Sequence, residues 1–294
     1  MSRGAFVGHC AALAGLLEVT AEKPGNVTPT HDFPDTKFHH FLSSSVAIEA
    51  PMRRLAEDPD YRVGQGILAA VEASGKAQTG GNAQLGIILL FAPVAKAAGL
   101  VNGRLTARSL RTTLSAVLRA TDDQDARDAF KAINYGHVGG LNDVKELDVR
   151  KRSTYDKLRD KGITLLDWMN VGAQANSVCH EYATNYKITF GLGLPTLLDT
   201  RRKGLQGAIV HTYLTILSEN VDTHIAGKWG RGLSEQVSKK AAAIVRRGSV
   251  WTKDGSASVR RLTNYLRKGR INPGATADLT ASTIFAALLT GLEM

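Results

Sequence analysis

Leu85-Gly-Ile-Ile-Leu-Leu-Phe-Ala-Pro-Val-Ala-Lys-Ala-Ala98 is apolar almost all the way round a helical wheel. A helix without a polar face belongs at the centre of a helical core, so this stretch sets the fold class. Its most apolar part, 85–95, is too short to cross a bilayer and contains Pro93. Thr79-Gly-Gly-Asn-Ala-Gln84 leads into it. The free amides of that helix start, beside Thr79, Asn82 and Gln84, suit an anionic oxygen.

Outward from this helix the 3.6-residue period recurs in both directions. Phe6, Cys10, Leu13 and Leu17 mark a helix that delivers Glu18 to its end, where Lys23-Pro24-Gly25-Asn26 stops it. Helices are expected over 41–57, 61–74, 106–119, 122–133, 205–217, 233–247, 256–268 and 275–289, and a charged helix or linker over 153–162. A long amphipathic segment is expected over 164–190, a glycine-rich connection over 191–203 and a loop over 227–232. Short β segments could hide at 186–190, but no convincing strand run exists. The expectation is an all-α domain over residues 1–294. Two long loops interrupt it, one after Glu18 and one over 136–149; such loops are uncommon unless they bind something.

With 43% hydrophobic residues the chain can bury a substantial core. Cys10 and Cys179 lie far apart in helical patterns and read as buried thiols. The N-terminal apolar stretch is interrupted by His9 and Glu18 and lacks a cleavage site, so the chain is expected to be cytoplasmic. The net charge of +10 is concentrated between Lys228 and Arg270, where 12 Lys and Arg face only Glu235 and Asp254. Such a block attracts polyanions: nucleic acid, an acidic membrane surface or a polyphosphate.

No Walker lysine loop, HExxH, paired CxxC or GxSxG is present. P-loop, zinc-protease and serine-ester chemistry therefore lack their machinery. Instead Glu18, Asp32, Asp222 and Asp278 fall near helix ends and loops, with Asn26, Asn82 and Asn220 close in sequence. These hard oxygen donors suit Mg²⁺, which takes one or two carboxylates together with substrate phosphates. Lys23, Lys228, Arg231 or a later arginine would neutralise charge. His31, His39 and His40 show no transition-metal spacing. Trp168, Trp229 and Trp251 read as packing residues, with Trp229 the best placed of them to stack on a base.

Four segments in order also resemble one family. Glu18…Lys23-Pro-Gly-Asn-Val27 with His31-Asp32, Thr79-Gly-Gly-Asn82, Asn220-Val-Asp-Thr-His224 and Asn272-Pro-Gly-Ala-Thr-Ala-Asp-Leu279 are similar to motifs of the triphosphoribosyl-dephospho-coenzyme A synthases. The resemblance implies ATP as co-substrate and Mg²⁺. A ribosyl group would pass from ATP to an acceptor hydroxyl with release of adenine, through an oxocarbenium-like state. It implies catalytic roles for Glu18, Asp32 and Asp222 and metal ligation by Asp32, Asp222 and Asp278. Substrate contacts are implied at Lys23, Asn26, His31, Asn82, Gln84, Asn220, Thr223, Lys228, Asn272 and Thr276. Ala83, Gln84 and Leu85 replace the family's threonine, histidine and lysine, so one imidazole and one cation are missing there. That variant resembles an archaeal and methylotroph branch, which implies a tetrahydromethanopterin-type precursor as an acceptor alternative to dephospho-coenzyme A. A homodimer is compatible with all of this. A helical module that binds nucleic acid through the basic block is the rival reading.

Overall fold

The computed structural model describes residues 1–80, 84–136 and 146–293. The helices are α1 (Arg3–Thr20), α2 (Phe38–Ala47), α3 (Glu49–Glu57), α4 (Val63–Ala77), α5 (Leu85–Leu100), α6 (Ala107–Arg119), α7 (Asp123–Tyr135) and α8 (Arg152–Asp160). They continue with α9 (Leu165–Gly172), α10 (Ser177–Ala183), α11 (Leu194–Thr200), α12 (Leu205–Glu219), α13 (Thr223–Trp229), α14 (Arg231–Arg246), α15 (Lys253–Gly269) and α16 (Gly274–Leu289). Among the described residues there is no strand, only an isolated bridge between Thr28 and His31.

Local chemistry explains many of the boundaries. Thr106, Asp122, Thr164, Asn176, Asp222 and Thr252 each accept a backbone N–H two or three residues ahead, which caps the helix that follows. The apolar helix α5 lies at the centre as its composition requires, against α1, α3, α4, α6 and α16. Phe91 of α5 packs on Phe285 of α16 with ring centroids 4.5 Å apart. Pro93 sits inside α5 and leaves the Leu89 carbonyl without its helical partner. The buried Tyr182 hydroxyl donates to that carbonyl at 2.7 Å, and Tyr186 donates to the next one at 2.8 Å. A core helix thereby carries a proline at little cost. The approach of α3 depends on Gly99, where a Cβ would lie 2.2 Å from the Ala56 carbonyl oxygen.

Several expected boundaries differ. Ile48 separates α2 from α3 within 41–57. The segment 164–190 is broken at Gly172–Asn176 and again at Asn185 and Tyr186, which take positive φ. No β structure forms at 186–190: a π turn spans Thr189–Gly193, started by the buried Glu181, which accepts from the amides of Ile188 and Thr189 at 2.8 and 2.9 Å. Residues expected to connect, 191–203, carry α11. Part of the loop expected over 227–232 belongs to α13. Most of the loop expected over 136–149 lies outside the described residues.

Candidate active site

Where α1 ends, Lys23 turns back into the protein. Its Nζ lies 3.0 Å from Glu18 Oε1 and also donates to the carbonyls of Glu18 and Ala21. Lys23 is 0% exposed and Glu18 3%. Tyr213 donates to the Pro24 carbonyl at 2.8 Å, which fixes the turn. Gly25 takes φ +82°, and a Cβ there would meet the Ile271 carbonyl at 2.8 Å, so only glycine fits. Asn26 then donates through Nδ2 to Asn272 Oδ1 at 2.7 Å and to the Pro273 carbonyl at 3.3 Å. Two motifs from opposite ends of the chain meet in that pair of asparagines.

Asp222 makes a second tie to the same place. Its Oδ1 accepts from the Ile225 amide at 2.9 Å and caps α13. Its Oδ2 accepts from the Thr276 amide at 2.8 Å and the Thr276 hydroxyl at 2.7 Å, at the start of α16. Burial pushes its carboxyl above the usual range, against the pull of these donors. One side chain thus sets the angle between two helix N-termini.

These ties frame a cavity of about 460 Å³. Glu18, Asn26, Asn272 and Asp278 supply polar lining, joined by Thr223, His224 and Lys228 of α13. Trp168, Met169, Val178 and Leu147 contribute apolar surface, and Trp168 Nε1 is held by the Leu147 carbonyl at 2.9 Å. The Asp278 carboxyl lies against Gly86 at the start of α5, where a Cβ would meet Oδ2 at 2.1 Å. No hydrogen bond reaches it among the described residues. Burial, with Glu18 and Asp222 nearby, holds its pKa well above the usual carboxylate value. Burial raises Glu18 as well, but the Lys23 ammonium opposes that shift. The two carboxyls are therefore unlike: one faces a cation and the other does not. Burial lowers His224, Asp222 opposes the shift and Lys228 adds to it, so the imidazole is neutral near pH 7.

Carboxylates dominate the charged part of the lining. Asp35, Glu146 and Asp148 join Glu18 and Asp278, whereas Lys228 is the one Lys or Arg among the described lining residues. Asp148 is paired with Arg150 at 2.6 Å, and that guanidinium holds its carboxyl below the usual range.

Of the residues singled out in the sequence, Glu18, Asn26, Thr223, Lys228, Asn272 and Asp278 line this cavity. Others do not, each for a visible reason. Lys23 is enclosed with Glu18, so its expected phosphate contact is replaced by an ion pair. Asp32 is exposed and its Oδ1 accepts from the Phe38 amide at 2.7 Å, at the start of α2. Asp222 and Thr276 bond to each other. The expected metal set of Asp32, Asp222 and Asp278 is not brought together, and among the described residues no three such ligands gather. Gln84 is buried and donates to Ser45 Oγ at 2.7 Å, filling core space rather than meeting an anion. Asn220 donates to the Ile216 carbonyl at 2.9 Å, and His31 packs on Phe33 with ring centroids 5.2 Å apart. Asn82 lies outside the described residues. Residues not anticipated are His224, Glu146 and Asn176, together with Trp168 as lining. His224 had a signal: it stands four residues before Lys228, which puts both on one face once α13 is recognised as a helix.

Comparison with known proteins fits this arrangement. The family model for ATP:dephospho-CoA triphosphoribosyl transferase matches residues 5–294. A probable 2-(5''-triphosphoribosyl)-3'-dephosphocoenzyme-A synthase of Malonomonas rubra is 32% identical over 29% of this chain and 27% of its own length. Another from Stutzerimonas stutzeri is 33% identical over 33% of this chain and 34% of its own. This chain thus spans about a third of the length of those curated relatives. A crystal structure assigned to triphosphoribosyl-dephospho-CoA synthase from Archaeoglobus fulgidus matches with TM-score 0.69 and 25% identity, over 86% of this chain and 100% of that one. The helical architecture, three of the four motifs meeting at one cavity and the end-to-end match lead to one conclusion: the chain belongs to the CitG family of ATP:dephospho-CoA triphosphoribosyl transferases.

Proposed function

We propose that the cavity transfers the triphosphoribosyl group of ATP to a hydroxyl of dephospho-coenzyme A. The observation that carries this reading is that residues from three of the four separated motif segments, with Leu85 and Gly86 just after the fourth, line one cavity. The bond from the ribose anomeric carbon to adenine breaks, a bond to the acceptor oxygen forms, and the acceptor proton leaves as adenine departs. Such a displacement needs a proton donor for the leaving base and negative charge beside the cationic sugar. Two carboxyls in unlike surroundings, one beside a buried ammonium and one without a cation, supply both roles. Asp278 keeps its proton and donates it to the departing adenine. Glu18, whose Oε1 lies 3.0 Å from the Lys23 ammonium, supplies negative charge beside the ribosyl cation. His224, neutral and in the same lining, accepts the acceptor proton. The apolar lining around Trp168 suits the adenine and the acceptor's apolar arm.

A triphosphate entering a cavity whose charged lining is mainly carboxylate needs a counter-cation beyond Lys228. Asp35 would hold Mg²⁺ jointly with the substrate phosphates, which fits its preference for few carboxylates and several other oxygens. When bound, Mg²⁺ would neutralise phosphate charge. Asp32 and Asp222 do not fit that role, because their oxygens serve helix N-termini. The pterin-type acceptor has no support in the cavity lining or the relatives, and it enters as the competing substrate of the test.

The experiment supplies the protein with ATP, Mg²⁺ and either dephospho-coenzyme A or a pterin-cofactor precursor, and follows free adenine and product mass. Adenine release with dephospho-coenzyme A, lost in folded Asp278→Asn and Glu18→Gln variants, is the expected result. Release with the pterin precursor alone would overturn the acceptor. Adenine release from neither, with ATP bound, would overturn the transfer.

A further inference from the structure

We propose that a groove on α6 binds a small oligophosphate, at a site separate from the cavity. Arg108, Arg111, Thr112, Ser115 and Arg119 of α6, with Asn185 and Phe190, line a space of about 520 Å³ that shares no residue with the active-site lining. Positions 108, 112, 115 and 119 follow the four-three-four spacing that places side chains on one helix face.

The charge of this groove is unbalanced. Arginines elsewhere in the chain meet carboxylates, as in Arg62–Asp128, Arg127–Asp123 and Arg150–Asp148. Among the described residues none of the three α6 arginines has such a partner, and no Asp or Glu lines the groove. Glu181 feels the charge of Arg111, but its oxygens are held by the Ile188 and Thr189 amides. Arg111 is also pre-positioned. Its Nε donates to the Asn185 carbonyl at 2.9 Å, Asn185 Nδ2 returns a bond to the Arg111 carbonyl at 3.3 Å, and the guanidinium lies 5.9 Å from the Phe190 ring centroid. Asn185 takes φ +51° to make this exchange. Arg119 is steadied by Ser115 Oγ at 2.6 Å, while Arg108 is exposed and free to swing. Guanidinium forks with neighbouring hydroxyls recognise phosphate oxygens.

The length of the array selects the ligand. Arg108 and Arg119 stand about 16 Å apart along the helix, at 1.5 Å per residue. A single phosphate cannot engage both flanking arginines, whereas linked phosphates can.

The test is hydrogen exchange of the full chain with inorganic tripolyphosphate, and with orthophosphate as the second arm. Tripolyphosphate should slow exchange over 107–119 and 185–190 with an affinity at least about tenfold above orthophosphate. An Arg108→Ala/Arg119→Ala variant changes exposed side chains and should unfold at the wild-type temperature. It should lose protection in these segments and keep it over 223–228, at the active-site cavity. No slowed exchange in these segments, unchanged protection in the variant, or equal response to orthophosphate would each overturn the proposal.

Discussion

Asp222 is the motif residue for which the sequence suggests chemistry and the structure shows architecture, and Asp222→Ala separates the two. The substitution leaves the Ile225 amide, the Thr276 amide and the Thr276 hydroxyl without their acceptor in a place that is 1% exposed. A buried donor left unpaired costs about 1–3 kcal/mol. The hydroxyl can rotate to another acceptor, so two amides dominate and the expected loss is about 3–4 kcal/mol. Against a total of about 5–15 kcal/mol the protein still folds, but with a much reduced margin. At roughly 2–4 °C per kcal/mol for a chain of this order of size, the midpoint should fall by about 6–16 °C. Urea unfolding followed by far-UV circular dichroism gives the free energy, and a scan gives the midpoint. Thr276→Val, which removes the hydroxyl alone, should cost about 1 kcal/mol. The two substitutions should be strongly non-additive, because both act on the same contact. An Asp222→Ala protein within about 0.5 kcal/mol of wild type yet inactive would refute the structural role and return Asp222 to the chemistry.

Three other outcomes follow from the same geometry. Asp278 has a raised folded-state pKa, so the native chain retains a proton that the unfolded chain releases near 3.8. Its contribution to stability is present below that pH and is lost as pH rises, so the stability of Asp278→Asn relative to wild type should grow from pH 4 to pH 8 in urea titrations. Lys23→Met should cost about 3–5 kcal/mol because it leaves the buried Glu18 without its cation. Adding Glu18→Gln to that variant should restore part of the lost midpoint. Gly86→Ala places a methyl where the Asp278 carboxyl stands, 2.1 Å away, and should abolish turnover while far-UV circular dichroism stays helical.

The all-helical fold was readable because its strongest signal, the apolar 85–98 segment, has one physical home. The proline edges and polar caps then placed most boundaries within a few residues. Legibility failed where tertiary contacts override local pattern. Glu181 starts a helical turn at 188–189 through its side chain, which a reading of β propensity at 186–190 does not register. The motif carboxylates illustrate a second limit. Sequence spacing does not say whether a side chain points inward at a helix N-terminus or outward into a cavity. Asp222 and Asp278 sit in equally suggestive motifs, and one is capped by three donors while the other faces open space against a glycine. Lys23 was misread for a related reason: a lysine before a Pro-Gly turn usually reaches solvent, but here the turn folds it back over Glu18. Trp168 and His224 entered the lining through helices α9 and α13, whose short lengths leave little periodic signal.

The packing of α16 against both α1 and α5 has a consequence for how the chain is made. In order, α16 is nearly the whole sequence away from α1 and more than half of it away from α5, so these contacts cannot form until synthesis reaches residues 274–289. Until then the face of α5 that meets Phe285 has no protein cover, and α5 has no polar side to turn outward. A nascent chain paused before Gly274 would expose its most apolar segment for as long as the pause lasts. Docking of α16 therefore acts as a closing step. It shields the core and brings Asp278 to Gly86 in one event, so the cavity acquires its acid only when α16 is in place.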